Sequence, residues 1–176
     1  MRHIRVLVAL VLWAGGLAGG PVYGQAARGA SLRGLTGFEL VVEDLIPEAP
    51  LDGLTEANLL STVEARLREA GFSLRPDGSG DAYLYVNVNM TVGSGIYIYC
   101  AEVQLRQASR LVRDPERAVP DAVTWHAGVV GAVPAADLRV GITNVVLDQV
   151  DTFIREYDAE NPGTIAVPPA RQPPVP

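Results

Sequence analysis

Residues 82–111 read AYLYVNVNMTVGSGIYIYCAEVQLRQASRL, and the alternation within them decides the fold. Leu84, Val86, Val88, Met90 and Val92 alternate with Tyr83, Tyr85, Asn87, Asn89 and Thr91. That is the period of a strand with one buried and one polar face. Gly93-Ser94-Gly95-Ile96 is a tight turn, and a two-residue loop at Ser94-Gly95 fixes the register of the return strand. Val88 then faces Ala101, Val86 faces Val103 and Leu84 faces Leu105. The same register sets Asn89 against Cys100, Asn87 against Glu102, Tyr85 against Gln104 and Tyr83 against Arg106. A slip of one residue would turn every apolar side chain to the polar face.

Upstream of this hairpin, Phe38 to Asp44 (FELVVED) reads as a strand, and Ile46-Pro47-Glu48-Ala49-Pro50 breaks it. A helix follows. Thr55 is its N-cap, Leu54 and Leu59 form a hydrophobic staple, and Glu56 suits the positive end of the helix dipole. Leu59, Leu60, Val63 and Leu67 make its apolar stripe, Arg66 and Arg68 suit its last turn, and Gly71 ends it. Phe72-Ser73-Leu74 reads as a short second strand. Downstream, 112–117 (VRDPER) reads as a charged loop. Val123, Trp125, Ala127 and Val129 alternate with Thr124, His126 and Gly128, giving another strand. Pro134 and Asp137 open a last helix whose stripe is Leu138, Ile142, Val146, Val150, Phe153 and Tyr157. Asp151 and Arg155 are spaced for an i,i+4 pair. Asn161-Pro162-Gly163 stops that helix. The order β-α-β-β-β-β-α predicts an α+β two-layer sandwich: a mostly antiparallel sheet of about five strands with two helices on one face.

The ends carry different signals. Arg2, His3 and Arg5 precede an apolar run from Val6 to Ala18, and small residues lead to Gly24. Residues 1–24 are thus expected to be a secretory signal peptide, too short in its apolar part for a membrane span of about 20 residues. Residues 25–36 read as a flexible lead-in, 37–160 as one α+β domain, and the proline-rich 161–176 as an extended or disordered tail. The expected address is periplasmic or secreted, with no membrane span in the mature chain. All 14 basic residues are arginine. The net charge is −6, and losing Arg2 and Arg5 with the signal makes it −8. An acidic mature chain argues against nucleic acid and anionic membrane surfaces as partners. Cys100 is the one cysteine, which excludes an intramolecular disulfide and thiolate zinc sites.

Little in the chain points to catalysis. The mature region holds a single histidine, His126, and contains neither an HExxH nor a GxSxG motif. The loop from Leu45 to Leu54 is acidic and lacks the amide nest a phosphate requires. Neither a cofactor nor a metal site is expected. The surface that stands out is the open face of the sheet, with Tyr83, Tyr85, Asn87, Asn89, Glu102, Gln104 and Arg106 beside Thr124 and His126. Tyrosine, asparagine and arginine are favoured in recognition, although tyrosine and threonine are also good strand formers.

The stretches Leu40-Val41-Val42-Glu43-Asp44-Leu45, Tyr83-Leu84-Tyr85-Val86-Asn87-Val88, and Leu105-Arg106-Gln107 leading to Leu111-Val112-Arg113 form a further pattern, completed by Thr124-Trp125 with Gly128 and Gly131. Over about residues 37 to 160 the chain resembles a group of uncharacterised exported bacterial α+β proteins, which brings no catalytic residues to transfer. In element order it is similar to the small periplasmic domains of Tol-system and outer-membrane accessory proteins, which implies protein binding. The expectation is a non-catalytic envelope module whose partner is an envelope protein or a cell-wall component, contacted through Tyr83, Tyr85, Asn87, Glu102, Gln104, Arg106 and His126. The alternative is a small hydrolase or transferase that uses His126 with Glu102.

Overall fold

The computed structural model describes residues 29–75, 82–166, 168 and 169. The expected signal peptide and half of the proline-rich tail lie outside the described residues. Within them the chain is an α+β fold with two long helices and a four-stranded mixed sheet in the order β1-β2-β3-β4. The strands are β1 (Glu39–Val42), β2 (Ala82–Gly93), β3 (Ile96–Leu111) and β4 (Asp114–Pro134). Helix α1 (Glu56–Glu69) follows a short 3-10 turn at Ala49–Asp52, and helix α2 (Leu138–Glu160) follows another at Ala135–Asp137.

The β2–β3 hairpin has the register that its side-chain pattern requires. Val86 pairs with Val103, Leu84 with Leu105, Tyr85 with Gln104 and Tyr83 with Arg106. Ser94 and Gly95 both take positive φ, at 53° and 75°, as a two-residue turn with a right-handed strand twist demands. Helix α1 also forms as its caps dictate. The Thr55 hydroxyl accepts the Asn58 N–H at 3.2 Å, and Leu54 and Leu59 are both fully buried. At its other end Phe72 N–H donates to the Leu67 carbonyl and Gly71 N–H to that of Arg68, with Gly71 at φ 91°. That paired return is a Schellman motif, and its left-handed position favours glycine.

Two expectations about the sheet are corrected. It has four strands, not five: Phe72 to Leu74 supplies only a parallel bridge between Leu74 and Phe38. Most of its pairing is antiparallel, as β2–β3 and β3–β4 are, but the sheet is mixed, since β1 and β2 are parallel. The reason is topological. The chain leaves β1, crosses through α1 and returns along β2, and such a crossover brings the second strand back in the same direction. Finally, 114–117 is not loop but the start of β4, whose 21 residues run to Pro134. Pro115 and Pro120 are tolerated there because β4 is an edge strand, where a missing N–H need not break a ladder.

One face of the sheet and the two helices enclose the core. Leu84, Val86, Val103 and Leu105 are fully buried with Val63 and Leu67 of α1 and Ile142, Val146 and Val150 of α2. Burying each such side chain is worth roughly 1.5–3 kcal/mol. At one end Phe38, Phe72, Phe153, Tyr157 and Trp125 form an aromatic cluster with neighbouring ring centroids 4.7–5.6 Å apart. Trp125 is nearly enclosed and donates its indole N–H to Glu156 Oε2 at 2.7 Å. The two helices are also joined by an ion pair: Arg66 Nε donates to Asp151 Oδ1 at 2.7 Å and Arg66 Nη1 to Glu69 Oε2 at 2.8 Å. Asp151 therefore serves Arg66 across the interface, while Arg155 donates to Thr152 Oγ1 on its own helix. Burial opposes the Arg66 charge, but its bonds to Asp151 and Glu69 outweigh that and its pKa lies above the ordinary value.

The expected lead-in is packed onto this core from Gly29 onward. Leu32 is fully buried, Asn161 Nδ2 donates to its carbonyl, and Tyr157 Oη donates to the Leu35 carbonyl. The start of the tail is docked too, with Ala166 N–H on the Ala70 carbonyl and Arg66 Nη2 on that of Pro169.

Candidate functional site

The face of the sheet turned away from the helices carries the expected polar residues, and the structure joins most of them into one network. Tyr83 Oη donates to Asp121 Oδ1 at 2.6 Å, and Arg106 Nη1 donates to Asp121 Oδ2 at 3.1 Å. Arg106 Nε also donates to Gln104 Oε1 at 2.9 Å, and Gln104 Nε2 donates to Glu102 Oε2 at 3.2 Å. The Arg106 guanidinium carbon sits 4.5 Å above the Tyr85 ring centroid. Tyr85 in turn meets Tyr83 nearly edge to face, with centroids 6.3 Å apart. Cation–π and edge-to-face contacts of this kind fix both rings in place. All of Tyr83, Tyr85, Asn87, Glu102, Gln104 and Arg106 are half-buried.

The electrostatics follow from the contacts. Partial burial and the Asp121 hydrogen bond push the Tyr83 phenol up, so it stays a donor at neutral pH. Burial opposes the Arg106 charge, but Tyr83 and Asp121 outweigh it and its pKa is raised. The cluster thus offers a fixed cation, a phenol and two aromatic edges beside a carboxylate.

The sequence does not single out Asp121, which lies between the expected loop at 112–117 and the alternation that begins at Val123. Its spacing from Val123, two residues along a strand, was the available signal. A second difference arises from a bulge. Leu105 pairs with Trp125 and Arg106 with Val123, so Thr124 is the extra residue on β4. Val123 therefore pairs with Arg106 and is 50 % exposed instead of joining the core. Thr124 is drawn into other bonds: its hydroxyl accepts Gln107 Nε2 at 2.7 Å, and its carbonyl accepts the Ser31 hydroxyl at 2.8 Å.

His126 is exposed and pairs in register with Gln104, whereas Glu102 pairs with Gly128. Glu102 leans across that glycine, where an added Cβ would stand 3.2 Å from its Cγ. The hollow at His126, about 200 Å3, is walled, among the described residues, by Val123, Thr124 and Trp125. Two other hollows, of about 240 and 400 Å3, share Arg75 as a wall and contain no residue of the polar network. Among the described residues no group of three or more His, Cys, Asp or Glu is placed to hold a metal ion.

Past Asn89 the same face becomes apolar. Ile98 pairs with Thr91 and Ala132, and Cys100 pairs with Asn89 and Val130. Ile98 is 57 % exposed and Val130 72 %. The open face is thus half polar network and half apolar strip.

No protein-family model and no curated protein matches the chain. Among solved structures, a point variant of the PelC dodecamer from Paraburkholderia phytofirmans is similar over 69 % of this chain and 87 % of that one, at 16 % identity and a TM-score of 0.35. A likeness at that level carries no argument about this chain.

Proposed function

We propose that this chain is an exported cell-envelope module, periplasmic or secreted, that binds an envelope protein or a cell-wall component through its open sheet face without catalysing a reaction. The observation that carries the reading is the Tyr83–Asp121–Arg106 network with Tyr85 under the guanidinium. Aromatic side chains and arginine dominate binding hot spots. Here their rotamers are held in advance by one another, which lowers the ordering cost of association. The export half of the reading rests on the layout of residues 1–24. Among the described residues no helix is long and apolar enough to cross a membrane. The hydrolase reading would need His126 and Glu102 in one hollow, and the hollow at His126 offers the histidine with apolar and threonine walls.

The test is affinity capture from the native envelope, with captured species identified by mass spectrometry. The Tyr85→Ala, Arg106→Ala double variant is expected to keep its circular dichroism spectrum and lose the captured partner, while His126→Ala retains it. A double variant that captures as well as the wild type overturns the reading.

A further inference from the structure

We propose that the outer edge of β4 pairs antiparallel with the same edge of a second copy of this chain, about a two-fold axis at Val129. This surface is separate from the polar network and does not depend on its role.

The hydrogen-bond parity of the sheet identifies the exposed groups. Gly93 and Ile96 close the two-residue turn, so Ile96, Ile98 and Cys100 bond to β2. The intervening residues of β3 bond to β4, and the ladder runs on to an Ala135 N–H on the Gly95 carbonyl at 2.8 Å. Since Tyr97 pairs with Val133, Tyr99 with Gly131 and Ala101 with Val129, those three β4 residues turn their amides inward. Gly128, Val130 and Ala132 turn theirs outward, and among the described residues no strand lies beyond β4.

Natural sheets blunt such an edge with charges, prolines or short strands. This one is left open where its pairing with β3 runs without a bulge, from Trp125 to Pro134. From Ala122 to Val133 there is no Asp, Glu, Arg or Pro. On a chain of net charge −6 this is a segment that two copies can bring together without facing like charges. The edge also exposes valine on both faces of the sheet: Val130, 72 % exposed, on the open face and Val129, 43 % exposed, on the helix side.

The segment 127–132 reads Ala-Gly-Val-Val-Gly-Ala, small and apolar throughout, so no bulky or charged side chain obstructs the approach of a second edge. Pleating forbids an axis between Val129 and Val130, because residues directly opposite must project to the same face. An axis on Val130 sets Pro134, which has no N–H, opposite His126. An axis on Val129 instead sets Pro134 opposite the bulged Thr124, beyond the end of the regular ladder. Gly128 and Val130 then exchange both bonds with Val130 and Gly128 of the second copy, large side chain against small. The two Val129 side chains meet at the axis, and the exposed Ile98–Val130 strip becomes continuous across it.

Sedimentation velocity of the purified chain over a concentration series tests this. The wild type is expected to show a monomer–dimer equilibrium. Val130→Pro removes an outward N–H and leaves the inner ladder intact. Val130→Lys places a charge on a residue that is already largely exposed, and it decides the matter if the proline variant fails to fold. Either folded variant is expected to raise the dissociation constant by about tenfold or more. A Cys100→Ser, Val129→Cys variant is expected to oxidise to a covalent dimer, since non-hydrogen-bonded antiparallel partners lie within disulfide reach. A wild type that is monomeric throughout the series overturns the proposal. So does a dimer unaffected by Val130→Lys, or one disrupted only by Tyr85→Ala, Arg106→Ala. A folded Val129→Cys variant that stays uncrosslinked overturns it as well.

Discussion

At the scale of single residues, two aspartates show how burial sets the worth of an ion pair. Asp121 is about half exposed and its partner Arg106 a quarter exposed. Pairs of that kind contribute up to about 1 kcal/mol. Asp151 and Arg66 are 13 % and 9 % exposed. Removing one partner of a buried pair costs about 3–5 kcal/mol because the other charge is stranded. Glu69 and the Pro169 carbonyl still bond to Arg66, so Asp151→Ala should cost about 2–3 kcal/mol, below that range. Asp121→Ala should cost less than about 1 kcal/mol. Urea unfolding of the two variants checks the ranking, and equal losses would refute it. Neither role was legible in the sequence. The i,i+4 rule offers Arg155 to Asp151, but a pairing across the helix interface, largely hidden from water, prevails over an exposed helical one. Tyr97 gives a third residue-scale expectation. It is fully buried and donates to Asp52 Oδ2 at 2.6 Å. That hydrogen bond, with desolvation, pushes its phenol up to about 12. The folded pKa exceeds the ordinary value of about 10, so the stabilisation is complete below pH 10 and is lost as pH rises toward 12. A spectrophotometric tyrosine titration should show one late phenol that Tyr97→Phe removes. If Tyr97 titrates with the ordinary tyrosines, the assignment of its hydrogen bond to Asp52 is wrong.

Among the elements, the β2–β3 hairpin was the most legible because two independent patterns fix one register. Apolar meets apolar and polar meets polar from Tyr83–Arg106 to Asn89–Cys100, and the turn allows no slip. Helix α1 was equally clear, since Thr55, the Leu54–Leu59 staple and Gly71 mark both its ends. The parallel β1–β2 pairing was hidden, although a strand, a helix and a strand in succession form the unit that produces it. The bulge at Thr124 was hidden for a different reason. An inserted residue shifts the phase of an alternation: Trp125 keeps the buried phase expected of it, while Val123, two residues earlier, is turned to the open face. The hairpin register yields a sharp comparison. Val86→Asp puts an unpaired carboxylate in the core and should prevent folding. Asn87→Asp changes a half-buried residue of the open face and should lower the melting temperature only slightly. Thermal melts in the opposite order would contradict the assignment of faces.

For the molecule as a whole, composition and element order were enough to give the α+β class and a single core, but not the reach of that core. Leu32 and Ile165 pack against it and Ala166 and Pro169 are bonded beside it, and their small, polar or proline-rich neighbours conceal this in the sequence. The candidate site was legible as a list of half-exposed residues on one face. Its organising carboxylate, Asp121, was not, because a network is a property of geometry. The export proposal makes a molecular-scale prediction: intact-mass analysis of periplasmic or secreted protein should give a chain beginning at Gln25 or close to it. A product retaining Met1 in the membrane would refute export by this route. The central claim, that the open sheet face is the binding surface, is tested most directly by hydroxyl-radical footprinting of the chain with and without its captured envelope partner. Protection should fall on Tyr83, Tyr85 and Arg106 and spare the exposed Leu51 and Val140. Protection confined to the helices, with Tyr83 and Tyr85 as reactive in the complex as in the free chain, would contradict it.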